Sequence, residues 1–310
     1  MSVISLFAAI ISGAALVAAD VTIPGPKGPL GGALTDPGRR APALILIPGS
    51  GPTDRNGDNP AGVAGGIYRQ LADQLAARGI ATLRIDKRGL FSSKAAIPAA
   101  HAVTIADYVG DVRGWTAFMQ ARGKRCVWLA GHSEGGLIAL AAAQQPKGIC
   151  GLILLAAPGR PLGTILRAQL KPKLPPAMFA SADAAIARLE ARQRVDPATV
   201  PAPLVPLFNP AVQPYLIELV TTDPGKLAAA TRLPMLIVQG DTDIQVGVED
   251  ARLLAAAHRG ARLVIVPGIN HLWRRAPADP ATNAATYGNA AIPVDPAVAD
   301  AVARFVTSSR

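Results

Sequence analysis

Aromatic residues, cysteines and histidines are all scarce in this chain, and each shortage removes a class of function. Aromatics make up 4% of the sequence, too few to interleave stacking platforms with basic residues as single-stranded nucleic-acid binding requires. Two cysteines, Cys126 and Cys150, cannot build a disulfide scaffold or a thiolate metal cluster. The four histidines, His101, His132, His258 and His271, are scattered, with no HExxH pattern and no His/Cys cluster. No metal site and no metal-dependent hydrolysis are therefore expected. The formal charge is +10, yet no block of Lys and Arg carries it. Cations scattered in this way, in a chain rich in Ala, Arg, Gly and Pro, read as a solvated surface and not as a nucleic-acid footprint. Beyond residue 19 no stretch is long and apolar enough to span a bilayer.

Half of the chain is hydrophobic, enough for a sizeable core. Residues 2–19 (SVISLFAAIISGAALVAA) carry no charged side chain and end in small residues ahead of Asp20. The stretch resembles a secretory signal peptide, although its first residues lack Lys and Arg. An uncleaved membrane anchor or a misplaced start are the alternatives. Export would put the protein in the periplasm or outside the cell, with the cytoplasm as the alternative, and would permit a disulfide. Cys126 and Cys150 each begin an apolar run, CVWLAGHS and CGLILLAAP. If these are neighbouring parallel strands, their starts lie about 5 Å apart, within bridging reach. Two inert buried thiols are the competing expectation.

Short apolar runs alternate with helical periodicity along most of the chain. Strands are expected around VTIP and GGAL, then at ALILIP (43–48), IATLRID (80–86), 126–133, 151–158, 234–240 and 261–268. Helices are expected from Ile67 to Gly79, from Ile105 to Gly123, over 134–145 and 248–258, and from Asp295 to Val306. This rhythm implies an α/β fold with a mostly parallel sheet and helices on both faces. It breaks over 159–231, which is rich in proline, offers one helix at 182–194, and reads as an inserted cap. The division expected is thus a leader over 1–19, a core over 20–158 and 232–310, and a cap over 159–231.

The strongest motif is Gly131-His132-Ser133-Glu134-Gly135-Gly136, with a strand before it and a helix after it. A strand-to-helix turn this sharp strains the serine backbone and lifts its hydroxyl above the sheet edge, and side chains at 131 or 135 would collide with their surroundings. A serine nucleophile needs a base, and the base an orienting acid. His132 is inside the turn with its ring directed away, His101 precedes the serine, and His258 falls near the end of a helix that reads as exposed. His271, in a loop just past a strand, is left as the base. The loop after 234–240 offers Asp241 and Asp243 as the acid. For the oxyanion, the backbone N–H of Glu134 and one from the Gly49-Ser50-Gly51 turn, taken as Ser50, are the candidate donors.

These residues resemble the α/β-hydrolase superfamily, and within it the bacterial esterase and serine-aminopeptidase-like branch, over most of 21–308. The motifs that carry the resemblance are GHSEGG at the elbow, PGSGPTDR where many relatives carry His-Gly, RIDKRGLFSS, GDTD in the acid loop and GINHLW in the histidine loop. Two features depart from the family pattern. Leu90-Phe91 replaces a small-Gly pair, and Pro48 replaces a common oxyanion histidine. The resemblance implies an α/β-hydrolase fold, Asp243 as the acid, and a cofactor-free hydrolase of carboxylic esters, thioesters or amides.

The reaction expected is acyl transfer to Ser133 followed by hydrolysis, on a small-molecule ester or amide. A peptidase or an acyltransferase on the same triad are the alternatives, and a non-catalytic binding protein is less favoured because all three triad members are present. No nucleic-acid partner is expected, and membrane contact only through the N-terminal segment. Within 159–231 five acids are outnumbered by eight Lys and Arg. That balance leans toward esters or anionic substrates and away from capture of an ammonium group.

Overall fold

Runs of Ile, Leu and Val bounded by turn formers become buried strands. The computed structural model describes residues 16–99 and 101–309. The expected leader lies, as far as residue 15, outside the described residues. Eight strands form one sheet: β1 (Ala19–Ile23), β2 (Leu30–Thr35), β3 (Ala43–Ile47), β4 (Ala81–Ile85), β5 (Val127–His132), β6 (Ile149–Leu155), β7 (Met235–Gly240) and β8 (Arg262–Val266). Every position of β3, β4 and β5 is buried, as strands covered on both faces must be.

The strand order is β1-β2-β4-β3-β5-β6-β7-β8. Only the β1–β2 and β2–β4 pairs are antiparallel; the others are parallel. After β3 the chain steps outward to β4 and then returns across β3 to β5. The loops leaving β3 and β5 therefore part in opposite directions, which opens a crevice at the carboxyl ends of these two strands. The expected nucleophile follows β5 and the expected oxyanion turn follows β3.

Helices cover both faces. On one face pack α1 (Ile67–Ala76) and α10 (Pro296–Ser308), through Ile67, Leu71, Val298 and Phe305. On the other pack α2 (Ile105–Ala121), α3 (Glu134–Ala142) and α8 (Val248–Ala257), through Val112, Ile138 and Leu254. Thr104 and Asp107 start α2 as a reciprocal capping box, each side chain accepting the other's backbone N–H at 3.0 Å.

Between β6 and β7 the proline-rich segment is mostly helical: α4 (Leu162–Leu170), α5 (Pro176–Glu190), α6 (Gln213–Thr221) and α7 (Pro224–Ala230). The helix expected at 182–194 begins six residues earlier and ends at Glu190, just before Arg192 takes φ +59°. Proline opens α5, α7, α10 and the short α9 (Pro280–Ala285) instead of breaking them. At the first helical position its missing N–H costs nothing and its fixed φ suits the helix. The segment has its own apolar cluster, including Ile186, Leu189, Phe208 and Val220. Arg167 ties α4 to α5 by pairing with Asp183 and Glu190, both at 2.6 Å.

Cys126 and Cys150 are joined as a disulfide, with their Cα atoms 5.3 Å apart. Cys150 falls where the β5–β6 register slips by one residue, opposite the step from Val127 to Trp128. Thiol titration of the unreduced, denatured protein is expected to find no free thiol, and two per chain would show that the bridge is absent.

Candidate active site

The turn between β5 and α3 is as tight as its glycines imply. A Cβ on Gly131 would collide with the backbone of Gly135 and Gly136, and one on Gly135 with the carbonyl oxygen of Ile47 in β3. Ser133 takes φ 52° and ψ −123°, a conformation that L-residues avoid and that persists only where surrounding structure enforces it. The Ser133 N–H donates to the Leu155 carbonyl at 3.0 Å, fastening the turn to β6.

The loops after β7 and β8 bring the expected acid and the expected base together. His271 Nδ1 lies 2.8 Å from Asp243 Oδ2. The second Asp243 oxygen accepts the N–H groups of Gln245 and Val246 at 2.8 and 2.9 Å, and Gln239 Nε2 donates to Oδ2 at 3.0 Å. Burial pushes the Asp243 carboxyl up, but His271 and these amides outweigh it and hold the group below the usual carboxylate range. Asp241 is used otherwise, accepting the Gly268 N–H at 2.6 Å. Gly240 lets the two loops touch, since a Cβ there would collide with the Ile269 carbonyl. No hydrogen bond joins the Ser133 hydroxyl to His271 in the structure. The His271 ring instead lies 4.7 Å, centroid to centroid, from that of His132, the residue before Ser133.

Gly49, two residues past the end of β3, approaches the turn closely: a Cβ on it would stand 3.2 Å from Ser133 Cβ. Its peptide groups are held from both sides. Its N–H donates to Tyr68 Oη at 3.0 Å, and its carbonyl accepts from Lys87 Nζ at 2.7 Å. Ser50 Oγ donates to Glu134 Oε2 at 2.9 Å, which links the two expected oxyanion donors through their side chains. Neither backbone N–H, of Ser50 or of Glu134, is engaged by another group among the described residues. Tyr215 from α6 donates to Glu134 Oε1 at 3.0 Å, and Lys87 lies 3.7 Å from the same oxygen. Burial pulls the Lys87 ammonium below its ordinary value while Glu134 draws it back.

A cavity of about 530 Å³ lies between this floor and helices α4 and α6, and Ser50, Ser133 and Glu134 line it. Its walls are mainly apolar, with Leu137, Leu162, Ile165, Leu216, Leu219 and Val246 prominent. Among the described residues, three charged side chains reach it: Lys87, Glu134 and Arg160. The first two neutralise each other, and Arg160 is committed to the fully buried Asp250 at 2.6 Å. The volume and lining are those of a small-molecule site.

Several supporting residues have roles that the sequence does not announce. Tyr68 is one position of an ordinary helical stripe, and Lys87 lies in the RIDKRGLFSS motif with nothing to mark what it contacts. Asn270 is fully buried and shapes the histidine turn, its Oδ1 accepting the N–H groups of Leu272 and Arg274 at 3.0 and 3.2 Å. Its place in GINHLW, directly before His271, is the hint that the sequence offers. His258, expected near the end of an exposed helix, is 5% exposed at the C-terminal end of α8. Phe91, where the family pattern has glycine, holds φ +47°, so the turn keeps its left-handed residue without the glycine.

A family model described as serine aminopeptidase, S33, matches residues 62–274. Esterase EstD of Thermotoga maritima is 26% identical over 259 residues, which cover 81% of this chain and 57% of that protein. The chain thus spans little more than half the length of that relative. Among solved structures, Est1E of Butyrivibrio proteoclasticus with bound ferulic acid superposes with a TM-score of 0.61 at 18% identity, over 93% of this chain and 99% of that one. The Pyrococcus furiosus esterase Pf2001 gives 0.54 at 17% identity, over 81% and 83%. At such identities the likeness is one of fold.

The strain at residue 133 is open to measurement. Ser133→Gly is expected to be more stable than Ser133→Ala by about 1 kcal/mol, since only glycine takes this backbone conformation without cost. Urea unfolding of the two variants compares them, and greater stability of the alanine variant would show the turn to be unstrained.

Proposed function

The chain belongs to the serine aminopeptidase S33 family of α/β-hydrolases, and on that footing we propose that it hydrolyses neutral carboxylic esters through an acyl-enzyme on Ser133. The observation that carries this reading is an apolar cavity over Ser133 in which every charged side chain is already paired. In the proposed cycle the Ser133 hydroxyl attacks the ester carbonyl and His271 Nε2 takes its proton. Asp243 holds the Nδ1–H and stabilises the imidazolium as it forms. The tetrahedral oxyanion is received by the N–H groups of Glu134 and Ser50. His271 then returns the proton to the departing alcohol, and water, deprotonated by the same base, releases the acid.

The family's name raises aminopeptidase action, which needs an anion to hold the substrate's terminal ammonium. Among the described residues, the one carboxylate lining the cavity is Glu134, and Ser50, Tyr215 and Lys87 already occupy it. Of the acids in 159–231, Asp183 and Glu190 pair with Arg167, and Glu218 accepts the Ile105 N–H at 2.6 Å. This favours an uncharged ester. We propose further that 159–231 acts as the cap that shapes the acyl pocket. The leader-like residues 2–19 and the disulfide together support export.

A series of p-nitrophenyl esters of increasing acyl length tests the assignment. Each methylene entering the cavity contributes about 0.8 kcal/mol, so kcat/KM is expected to rise roughly fourfold per methylene until the space is filled. Ser133→Ala should lose at least about a thousandfold in kcat. Activity that survives this substitution would remove Ser133 as the nucleophile.

A further inference from the structure

His132 takes no part in the cycle just described, yet it is 4% exposed and both of its ring nitrogens are engaged. Nε2 lies 3.0 Å from the backbone carbonyl of His271. A carbonyl can only accept, so Nε2 carries the hydrogen. Burial, and after it the neighbouring His271, pulls the His132 pKa down to about 3, so the ring is neutral and Nδ1 keeps its lone pair. Nδ1 lies 2.8 Å from Tyr68 Oη. Burial pushes the Tyr68 phenol up, so it retains its proton and donates it to Nδ1. The same phenol oxygen accepts the Gly49 N–H at 3.0 Å.

Only one arrangement of protons satisfies this chain. It runs from Gly49 N–H to Tyr68 O–H to the His132 ring to the His271 carbonyl. The first member precedes Ser50 in the oxyanion turn and the last is the base itself. Between them passes the residue adjoining Ser133. Trp273, held at φ +59°, packs 4.7 Å from the His132 ring and 5.9 Å from that of Tyr68, closing the group against water.

We infer that Tyr68 and His132 are positioning residues that lock the oxyanion turn and the histidine loop into one rigid unit around Ser133. The inference rests on the serine-esterase reading for its kinetic consequence, but not for the linkage itself. A neutral His132 matters for a second reason: a cation 4.7 Å from the His271 ring would oppose the imidazolium that the reaction requires.

Tyr68→Phe removes the shared hydroxyl and keeps the ring, leaving the Gly49 N–H and His132 Nδ1 without partners. Nitrogen NMR of the histidine rings is read first, in protein without substrate, so it answers whatever Ser133 does. Wild type is expected to show His132 as the Nε2–H tautomer, untitrated across the neutral range. In Tyr68→Phe the His271 ring and Gly49 amide resonances are both expected to move. With the best ester substrate, kcat is expected to fall on the order of 10- to 100-fold with KM nearly unchanged, as misplacement of reacting groups produces. An Nδ1–H tautomer in wild type overturns the inference even if the variant does not fold. So does a variant whose His271 resonances and kcat match wild type, or one that loses thermal stability while those resonances stay in place. Loss of the parent reading is a separate result, given by an active Ser133→Ala.

Discussion

The site depends on how closely one turn can approach a neighbouring strand. The β5–α3 turn packs its glycines against its own backbone and against the last carbonyls of β3, with no side chain between. Such close packing is what holds Ser133 in an unfavourable backbone conformation, and it also sets Gly49 beside Ser133. Because β3 and β5 are adjacent and the chain reverses its course across the sheet between them, the loops that follow them frame a crevice. Sheet order, glycine placement and serine strain are one constraint seen at three scales. A protein interior is packed too densely for one of them to change alone.

Most of the core fold was legible because the signal was redundant. Most strands of the parallel part are built on short runs of Val, Ile and Leu, each covering helix repeats its apolar residues at helical spacing, and glycines such as Gly79 and Gly123 close helices with positive φ. The segment 159–231 was less legible for a physical reason. Proline marks a break when it stands inside a helix and a beginning when it stands at the first turn, and sequence alone does not say which turn is first. Asp223 and Asp295 cap helices whose first residue is proline, so an Asp-Pro pair could have served as the signal. In α5 the residue before is also proline, and no side-chain cap marks the start.

Around Ser133 the residues with distinctive chemistry were visible, and their supports were not. The four histidines left few choices, and the elbow glycines stand in a recognisable order. Between Asp241 and Asp243 the resemblance favoured Asp243, and it is Asp243 that contacts His271 while Asp241 accepts an N–H of the next loop. Lys87 and Asn270 lie inside the RIDKRGLFSS and GINHLW motifs, yet their contacts, like those of Tyr68, run across the chain or through backbone atoms, which no local pattern reports. The directed chain through His132 is of this kind. It depends on hydrogen positions that follow from carbonyl chemistry and burial together, and neither can be read from the letters GHS.

The bridge between Cys126 and Cys150 has a consequence for wear as well as for folding. Its ring, with a sequence separation of 24, encloses the whole of β5, the serine turn and α3. Closing a loop of that size restrains the unfolded chain by about 3.5 kcal/mol in the chain-entropy view. The ring also means that one protease cut anywhere between the two cysteines leaves the polypeptide in a single covalent piece. In a compartment where proteases act and reductants are scarce, the two arms of such a nicked ring each stay tethered at their cysteine, and the two halves of the sheet are not free to diffuse apart.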